Sequence, residues 1–529
     1  MLSTLETNLI QRVCVGDMLY RTTERFPNKI AIVDGDVTLT YKQFNEKVNQ
    51  VARTLLQKGF QKGDIVATMC ENTHEFVITY FACAKSGLVV MPLNIKLAID
   101  NLAYQLNQSE TKVIVFTQSS KEKLNSLIEL VPSLQELYMT EVEEEFMLGG
   151  KKIFPFSQLV SGDISEVEVV IEDRDTFQLM YTSGTTSKPK GVQTSHLAIY
   201  ISTLGTSLQY KLDHNDSSVV VLPLFHVGGL TCILLPNILV GGTNVLIRQY
   251  NASHILNAME QYRTTWTMLS APMWLEISDQ PGLSGRDFSS MRLCVCAIAT
   301  LPQSRHKQVK SVFNNADIIL ISGQTEFNPP NAAQRPEQGS TSAWGPPVVA
   351  QSAKIMDDHG NLLPPGEIGE IVYRGPQSMT CYFKDPKSTS SAFEYGWFHS
   401  GDLGYIDEDN VVWFVDRKKD MIKTGGENVA SVEVELVVRN HTKVAECAAV
   451  GLPHERWSEA ITIFAKLNEG ESLEEKELLD FCKERLSGFK VPKKIVFVKE
   501  LPITASGKVQ KHELRKEYYD LFNIEEVNS

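Results

Sequence analysis

The stretch that decides the fold reads Thr182-Ser183-Gly184-Thr185-Thr186-Ser187-Lys188-Pro189-Lys190-Gly191, directly after the apolar residues 177–181. An apolar run that enters a turn rich in Ser, Thr and Gly predicts a buried strand followed by a loop. Backbone N–H groups and hydroxyls of such a loop can surround phosphate oxygens, and its lysines add positive charge. Pro189 stands where a Walker A motif requires Gly, so the loop predicts phosphate binding of another kind. A polar surface turn is the alternative that composition alone allows.

Strand-like and helix-like segments alternate on both sides of this loop. Residues 39–41 lead into a segment whose apolar residues Phe44, Val48 and Leu55 have helical spacing. Short apolar runs with the length of buried strands lie at 65–69, 89–93, 113–116, 177–181, 218–222 and 318–321. This alternation predicts an α/β fold of layered, mainly parallel sheets and helices.

Composition limits the classes of protein that fit. A chain of 529 residues with 43% hydrophobic and 22% charged content should contain more than one globular core. The 51 Lys and Arg against 64 Asp and Glu leave a net charge of -13, which argues against nucleic acid as a partner. An anionic substrate must therefore be met by locally placed cations.

The chain carries no signal for export or membrane insertion that we recognise. Residues 1–9 include Glu6 and no basic segment, and the apolar residues 230–240 are short and contain Pro236. A membrane span needs roughly 20 apolar residues. The nine cysteines form no CxxC pair, which favours neither a zinc site nor a disulfide framework. We expect a cytoplasmic protein without stable membrane insertion.

A charged run near the C-terminus is the strongest candidate for a domain boundary. Arg417-Lys418-Lys419-Asp420 follows the apolar residues 411–415, and enough chain remains beyond it for a small core. We predict a large domain over residues 1–416 and a small one over 417–529. A polar turn is the alternative interpretation.

Six further segments continue from the loop toward the C-terminus. They are Leu222-Pro223-Leu224-Phe225-His226, Ser322-Gly323-Gln324-Thr325-Glu326, Gly366-Glu367-Ile368-Gly369-Glu370-Ile371, residues 396–404, residues 416–423, and Leu501-Pro502-Ile503-Thr504-Ala505-Ser506-Gly507-Lys508-Val509. In this order, across roughly the whole chain, the seven segments resemble the adenylate-forming superfamily of acyl-CoA synthetases, peptide-synthetase adenylation domains and luciferases. The resemblance implies a small, mobile α+β C-terminal domain that pivots at Lys419.

The resemblance also implies a nucleotide site that uses ATP and Mg²⁺. Lys508 would bridge the substrate carboxylate and the α-phosphate, and Thr325 would contact the α-phosphate. Glu326 offers the hard oxygen ligand that Mg²⁺ prefers, with Thr185 as a second ligand. Asp402 would accept the ribose hydroxyls beside Arg417. The complete nucleotide set is Thr182, Ser183, Gly184, Thr185, Thr186, Ser187, Lys188, Ser322, Thr325, Glu326, Asp402, Arg417 and Lys508.

Two further groups follow from family position. His226 would orient the acid, which makes the catalytic set Lys508, Glu326, Thr185 and His226. The acyl pocket would comprise His226, Gly228, Gly229, Leu230, Cys232, Ala297, Ala299 and Gly323. The segment with Lys423, Gly425 and Gly426 would bind coenzyme A, because glycine permits close backbone approach.

The predicted function is an ATP-dependent carboxylic acid:CoA ligase, with a medium- or long-chain fatty acid preferred. Competing hypotheses are an aryl-acid CoA ligase, a ligase that loads a carrier protein, and a non-catalytic nucleotide- or acyl-binding relative. Ser322 stands where family members commonly stack adenine on an aromatic ring, and Leu230 where some long-chain synthetases place Trp. The expected partners are a small carboxylic acid, ATP and CoA, and the class also permits a homodimer.

Overall fold

The structure, a computed structural model, describes residues 2–182, 189–297, 303–334, 343–504 and 508–522. The chain folds into two compact units. The first comprises Met1–Ser352 and Tyr373–Phe398, and the second comprises Ala353–Val372 and His399–Ser529.

The α-helices are, in chain order, α1 (Thr4–Gln11), α2 (Val15–Arg25), α3 (Tyr41–Gln57), α4 (His74–Ser86), α5 (Ile99–Ser109), α6 (Lys121–Leu130), α7 (His196–Gln209), α8 (Val227–Gly229), α9 (Leu235–Val240), α10 (Ala252–Gln261), α11 (Ala271–Ser278), α12 (Gln303–Val312), α13 (Pro386–Ala392), α14 (Ser431–Arg439), α15 (Glu475–Lys483) and α16 (Lys511–Glu517).

The strands are β1 (Ile30–Asp34), β2 (Val37–Thr40), β3 (Ile65–Met69), β4 (Val89–Pro92), β5 (Val113–Phe116), β6 (Glu136–Met139), β7 (Phe146–Leu148), β8 (Lys151–Pro155), β9 (Thr176–Thr182), β10 (Lys190–Ser195), β11 (Ser217–Val220), β12 (Thr243–Leu246), β13 (Trp266–Ser270), β14 (Leu293–Ala297), β15 (Asp317–Ser322), β16 (Ala332–Ala333), β17 (Ala343–Gly345), β18 (Ser352–Met356), β19 (Gly369–Arg374), β20 (Cys381–Tyr382), β21 (Phe398–Ile406), β22 (Val412–Arg417), β23 (Ile422–Thr424), β24 (Glu427–Val429), β25 (Val444–His454), β26 (Ser458–Leu467) and β27 (Lys494–Phe497).

Two large sheets organise the first unit. One has the order β16-β15-β14-β13-β11-β12-β1-β2, and the other has the order β20-β10-β9-β4-β3-β5-β6-β8-β7. Their inner strands pair in parallel, and antiparallel pairs lie toward the edges. Every residue of β3, β4 and β5 is buried, as expected for parallel strands covered on both faces. The predicted α/β architecture is confirmed.

Helix α4 lies between these two sheets. Thr73 caps its start by accepting a hydrogen bond from Phe76 N, and Gly87 ends it in a left-handed conformation with φ 74°. All its residues except His74 are buried, and it contacts β1 of one sheet and β3 and β4 of the other. A largely apolar helix of this kind needs protein on all its sides, and its buried Lys85 is paired with Glu166.

The second unit contains two smaller sheets. In one, β22, β21, β19 and β18 lie side by side, and β21 alternates strictly between buried and half-buried residues. That alternation suits a sheet with one covered face. In the other, β24, β23, β26 and β25 are antiparallel and β27 adds in parallel, with α14 and α15 contributing to the core. This mixture matches the predicted α+β C-terminal domain.

The two compact units divide the chain elsewhere than at the predicted boundary. Residues 353–372 and 399–416 belong to the second unit, so Lys419 lies inside it. Lys419 sits in the turn of residues 418–420 between β22 and β23. A hinge is defined by motion and a compact unit by contacts, so the boundary at 416/417 remains a prediction. Within the described residues, no helix is both long and apolar enough to cross a bilayer.

Candidate active site

Several predicted site residues follow neighbouring strands of the first unit. Strands β11, β13, β14 and β15 are adjacent and parallel, so their carboxyl ends share one edge of the sheet. The chain reaches His226 shortly after β11, while β14 ends at Ala297 and β15 ends at Ser322. Ligands of open α/β sheets bind at such edges. The topology therefore places these three residues at one candidate site.

His226 begins the turn that follows β11. Its Nδ1 accepts a hydrogen bond from Gly228 N at 3.1 Å, so Nδ1 carries no proton and the imidazole ring is exposed. The short α8 continues into a π-helical turn at Leu230–Leu234 and then into α9. π-Helical turns inside helices occur frequently at functional sites. The geometry suits a residue that orients a ligand.

Leu230 and Cys232, both predicted to line the acyl pocket, are buried in the core of the first unit. Burial raises the pKa of the Cys232 thiol to about 12, so it stays protonated near neutral pH. These side chains can form the back of the predicted pocket.

Gly229 is required by packing. A Cβ atom on Gly229 would lie 2.3 Å from the carbonyl oxygen of Leu222, whereas one on Gly228 would meet side-chain atoms of His226 and Met268 at 3.3 and 3.4 Å. We expect Gly229→Ala to lower the free energy of unfolding by about 1–3 kcal/mol, because backbone must move. Denaturant unfolding measures this effect. Gly228→Ala is the matched control and should unfold close to the wild type; equal losses in both variants would contradict this account.

The segment Ser322-Gly323-Gln324-Thr325-Glu326 leaves β15 and enters a 3₁₀ turn at Thr325–Phe327. Gly323 packs so closely that a Cβ atom would lie 2.2 Å from Cβ of Pro329, which explains this glycine without a ligand. Thr325 is buried. The Ser322 hydroxyl is also buried and has no hydrogen-bond partner among the residues that the structure describes.

Glu326 contacts a residue that the sequence reasoning missed. The hydroxyl of Tyr382 donates a hydrogen bond to Glu326 Oε1 at 3.1 Å. Burial and then Glu326 raise the pKa of Tyr382, so the phenol stays protonated and acts as the donor. The ammonium of Lys190 lies 4.9 Å from the centre of the Tyr382 ring, within range of a cation–π interaction. A half-buried carboxylate held in this way fits a magnesium ligand.

The structure describes both ends of the predicted phosphate-binding loop of residues 182–191, which we call the phosphate loop. Thr182 ends β9 and pairs with Lys190 at the start of β10, as predicted for a strand that delivers the loop. Seven predicted site residues lie outside the described residues, namely Ser183, Gly184, Thr185, Thr186, Ser187, Lys188 and Ala299.

The predicted ribose-binding pair is formed within the second unit. Asp402 on β21 and Arg417 on β22 are register partners, and they form an ion pair in which Arg417 Nε lies 2.6 Å from Asp402 Oδ1. Burial raises the pKa of Asp402, while Arg417 and Lys508 oppose that rise. A carboxylate fixed by one guanidinium keeps its second oxygen available for a hydroxyl donor.

Lys508 lies near this pair. Its backbone N–H donates to Thr504 Oγ1 at 3.1 Å, and Ile503 and Val509 form an antiparallel bridge around the turn. The residue as a whole is exposed, but its ammonium lies in dense surroundings. Desolvation, followed by Arg417, lowers the pKa of Lys508 to about 8, and Asp402 acts in the opposite direction. At neutral pH the Lys508 side chain can therefore be a positively charged ammonium near Asp402 and Arg417.

The predicted coenzyme A segment forms a tight hairpin turn in the second unit. Gly425 and Gly426 have φ values of 60° and 85° and join β23 to β24. Positive φ at both positions is typical of a two-residue hairpin and explains the two glycines. Gly425 N donates to the carbonyl of Trp457 at 2.9 Å, and Lys423 is exposed. At this turn, Gly425 and Gly426 and the side chain of Lys423 are exposed to solvent.

Comparison with known proteins identifies the class. A family described as "AMP-binding enzyme" matches residues 19–383, and its C-terminal domain matches residues 433–508. The first match covers more than half of the chain, so the chain belongs to the AMP-binding enzyme family.

Named relatives and a solved structure agree with this assignment. The feruloyl-CoA synthase of Amycolatopsis sp is 31% identical over 95% of this chain and 99% of the relative. The 2-succinylbenzoate–CoA ligase of Bacillus licheniformis is 31% identical over 94% of this chain and 98% of the relative. ATP-bound MatB from Rhodopseudomonas palustris superposes with a TM-score of 0.86 at 27% identity, over 96% of this chain and 99% of MatB. These findings confirm the predicted class, an AMP-forming acid–thiol ligase whose reactants are ATP with Mg²⁺, CoA and an acid.

Proposed function

We propose that the protein activates an aromatic monocarboxylic acid with ATP and transfers the acyl group to coenzyme A. The observation that carries the choice of acid is the turn after β11, where His226, Gly228 and Gly229 stand before the fully packed Leu230 and Cys232. Leu230 and Cys232 are packed in the core, so their side chains do not leave room for a long chain at these two predicted pocket positions. This packing favours a short or planar acid, and the feruloyl and succinylbenzoate relatives support the aromatic class.

The first step overcomes the poor reactivity of a carboxylate, whose leaving group would be oxide. Attack of the carboxylate oxygen on the α-phosphorus of ATP forms acyl-AMP and expels pyrophosphate, so the later leaving group is AMP. Both reactants are anions, and cations placed in advance stabilise the charge that they bring together. Lys508 would supply an ammonium, Glu326 would hold Mg²⁺, and Asp402 with Arg417 would hold the ribose.

The second step transfers the acyl group. The thiol of coenzyme A attacks the acyl carbonyl, AMP leaves, and a thioester forms. A thiol is nucleophilic enough once it is partly ionised, so no strong base is required. We assign the hairpin with Lys423, Gly425 and Gly426 to coenzyme A, and a pivot at Lys419 to the exchange between the two steps.

The choice of an aromatic acid replaces the fatty acid that the sequence favoured. Leu230 and Cys232, two of the predicted pocket residues, are packed in the core, which favours a planar ring over an extended acyl chain. The feruloyl and succinylbenzoate relatives are consistent with an aromatic substrate. Residues 223–240 contain no Lys or Arg that could pair with a second carboxylate, which supports a monocarboxylic acid.

A panel of acids tests this proposal. Pyrophosphate release is measured with benzoate, cinnamate, ferulate, octanoate and palmitate, each with and without CoA. We expect the highest kcat/KM with an aryl acid and formation of its CoA thioester. A clear preference for octanoate or palmitate would restore the fatty-acid hypothesis. Pyrophosphate release without transfer to CoA would favour a carrier protein as acceptor, and no release with any acid would favour a binding-only relative.

A further inference from the structure

The contact between Tyr382 and Glu326 joins two segments that lie far apart in the sequence. The phenol of Tyr382 donates to Glu326 Oε1 across a separation of 56 residues. The same segment makes a second link, because Met379 N donates to the carbonyl of Glu326 at 2.8 Å. Side chain and backbone of Glu326 are thus both tied to residues 379–382.

Tyr382 itself is firmly held. It lies on β20, which pairs with β10 so that Tyr382 is opposite Val192. Its N–H donates to Thr389 Oγ1 at 3.0 Å, and its ring lies beneath the ammonium of Lys190. Strand β10 is the strand by which the chain leaves the phosphate loop, so Tyr382 connects that strand with the carboxylate of Glu326.

A hydrogen bond from a phenol is compatible with a carboxylate that also binds a metal ion. A carboxylate has about four lone-pair sites, so a donor on Oε1 and a cation can share the same group. The donor fixes the plane of the carboxylate, and partners of this kind typically change metal affinity or activity 10- to 100-fold when they are removed.

We propose that Tyr382 is a positioning residue that orients Glu326 toward the Mg²⁺ of the nucleotide and couples the phosphate-loop strand to the metal site. The inference rests on the proposed function, in which Glu326 is the metal ligand. Tyr382 touches neither the acid nor the phosphates in this account and acts through Glu326.

The test is Tyr382→Phe, which removes the hydroxyl and keeps the ring beneath Lys190. The Mg²⁺ concentration for half-maximal pyrophosphate exchange should rise about tenfold. Binding of Mn²⁺ in the presence of a non-hydrolysable ATP analogue, followed by the electron paramagnetic resonance signal of free Mn²⁺, should weaken by a similar factor. Tyr181→Phe is the matched control, because the Tyr181 hydroxyl on β9 donates to Gln108 instead, at 2.8 Å. The control should leave both quantities unchanged.

A double-mutant cycle tests whether Tyr382 acts through Glu326. In a Glu326→Ala background, adding Tyr382→Phe should have no further effect on Mn²⁺ binding, because the ligand through which Tyr382 acts is absent. Additive effects would overturn the proposal. So would a Tyr382→Phe variant that lowers thermal stability or kcat yet keeps the wild-type metal dependence. If no acid supports pyrophosphate exchange, the proposed function fails, while the Mn²⁺ measurement still decides the role of Tyr382.

Discussion

Replacing Lys508 with Ala is expected to reduce acyl-adenylate formation by about 10²- to 10³-fold or more, because the reaction then loses a positive charge where two anions meet. The ammonium of Lys508 lies close enough to Arg417 and Asp402 to interact electrostatically with both. In the proposed reaction those two residues hold the ribose, so Lys508 is placed to reach the adjacent α-phosphate. No other step in the proposal needs this ammonium.

The two half-reactions separate this role from a general loss of structure. Pyrophosphate exchange reports adenylation, and thioester formation from supplied acyl-AMP reports the transfer to CoA. Lys508→Ala should lose the first and largely keep the second. Lys516→Ala, which removes an exposed lysine on α16, is the control and should keep both. Equal loss of both half-reactions in Lys508→Ala would argue against a lysine that serves only one step.

The pKa of Lys508 adds a pH dependence with a defined sign. Desolvation lowers this pKa to about 8, so the ammonium is present below that pH and is lost as the pH rises through it. Adenylation by the wild type should therefore fall above about pH 8, and the residual rate of Lys508→Ala should not show this fall. An adenylation rate that climbs between pH 8 and 9 would contradict the assignment of the ammonium as the active form.

Glu326→Gln should cause the second large loss, again about 10²-fold in adenylation. The amide has the shape of the carboxylate and can still accept the hydrogen bond from Tyr382, but it is neutral and a weaker ligand for Mg²⁺. The loss should be partly recovered at high Mg²⁺ concentration, which pyrophosphate exchange across a metal titration would detect.

A surface glutamate supplies the control for this variant. Glu129→Gln, on the exposed face of α6, should leave the metal titration unchanged. Wild-type activity in Glu326→Gln at low Mg²⁺ would show that the carboxylate is not a metal ligand, and the inference about Tyr382 would fall with it.

Much of the fold was predictable because its signals are local. The apolar runs at 65–69 and 113–116 coincide with β3 and β5, and the helical spacing from Phe44 onward falls within α3. The order of the motifs predicted the family correctly. These features depend on neighbouring residues, whose periodicity is visible in a single sequence.

The contacts that complete the site were not predictable from spacing. Tyr382 reaches Glu326 because β20 joins the edge of a sheet through β10, a pairing between residues that are distant in sequence. Gly229 and Gly323 are predicted pocket residues, and the structure adds a close approach of Gly229 to Leu222 and of Gly323 to Pro329. Their tertiary neighbours leave no pattern in the local sequence.

The position of α4 has a consequence for how the first unit holds together. Neither large sheet possesses a complete apolar interior of its own, because each uses one side of the same helix as part of its covering layer. Loss of α4 would expose both sheets to water at once. Strand β9 and the strands that end at the candidate site, β11, β14 and β15, are therefore expected to unfold together, even though they lie in different sheets.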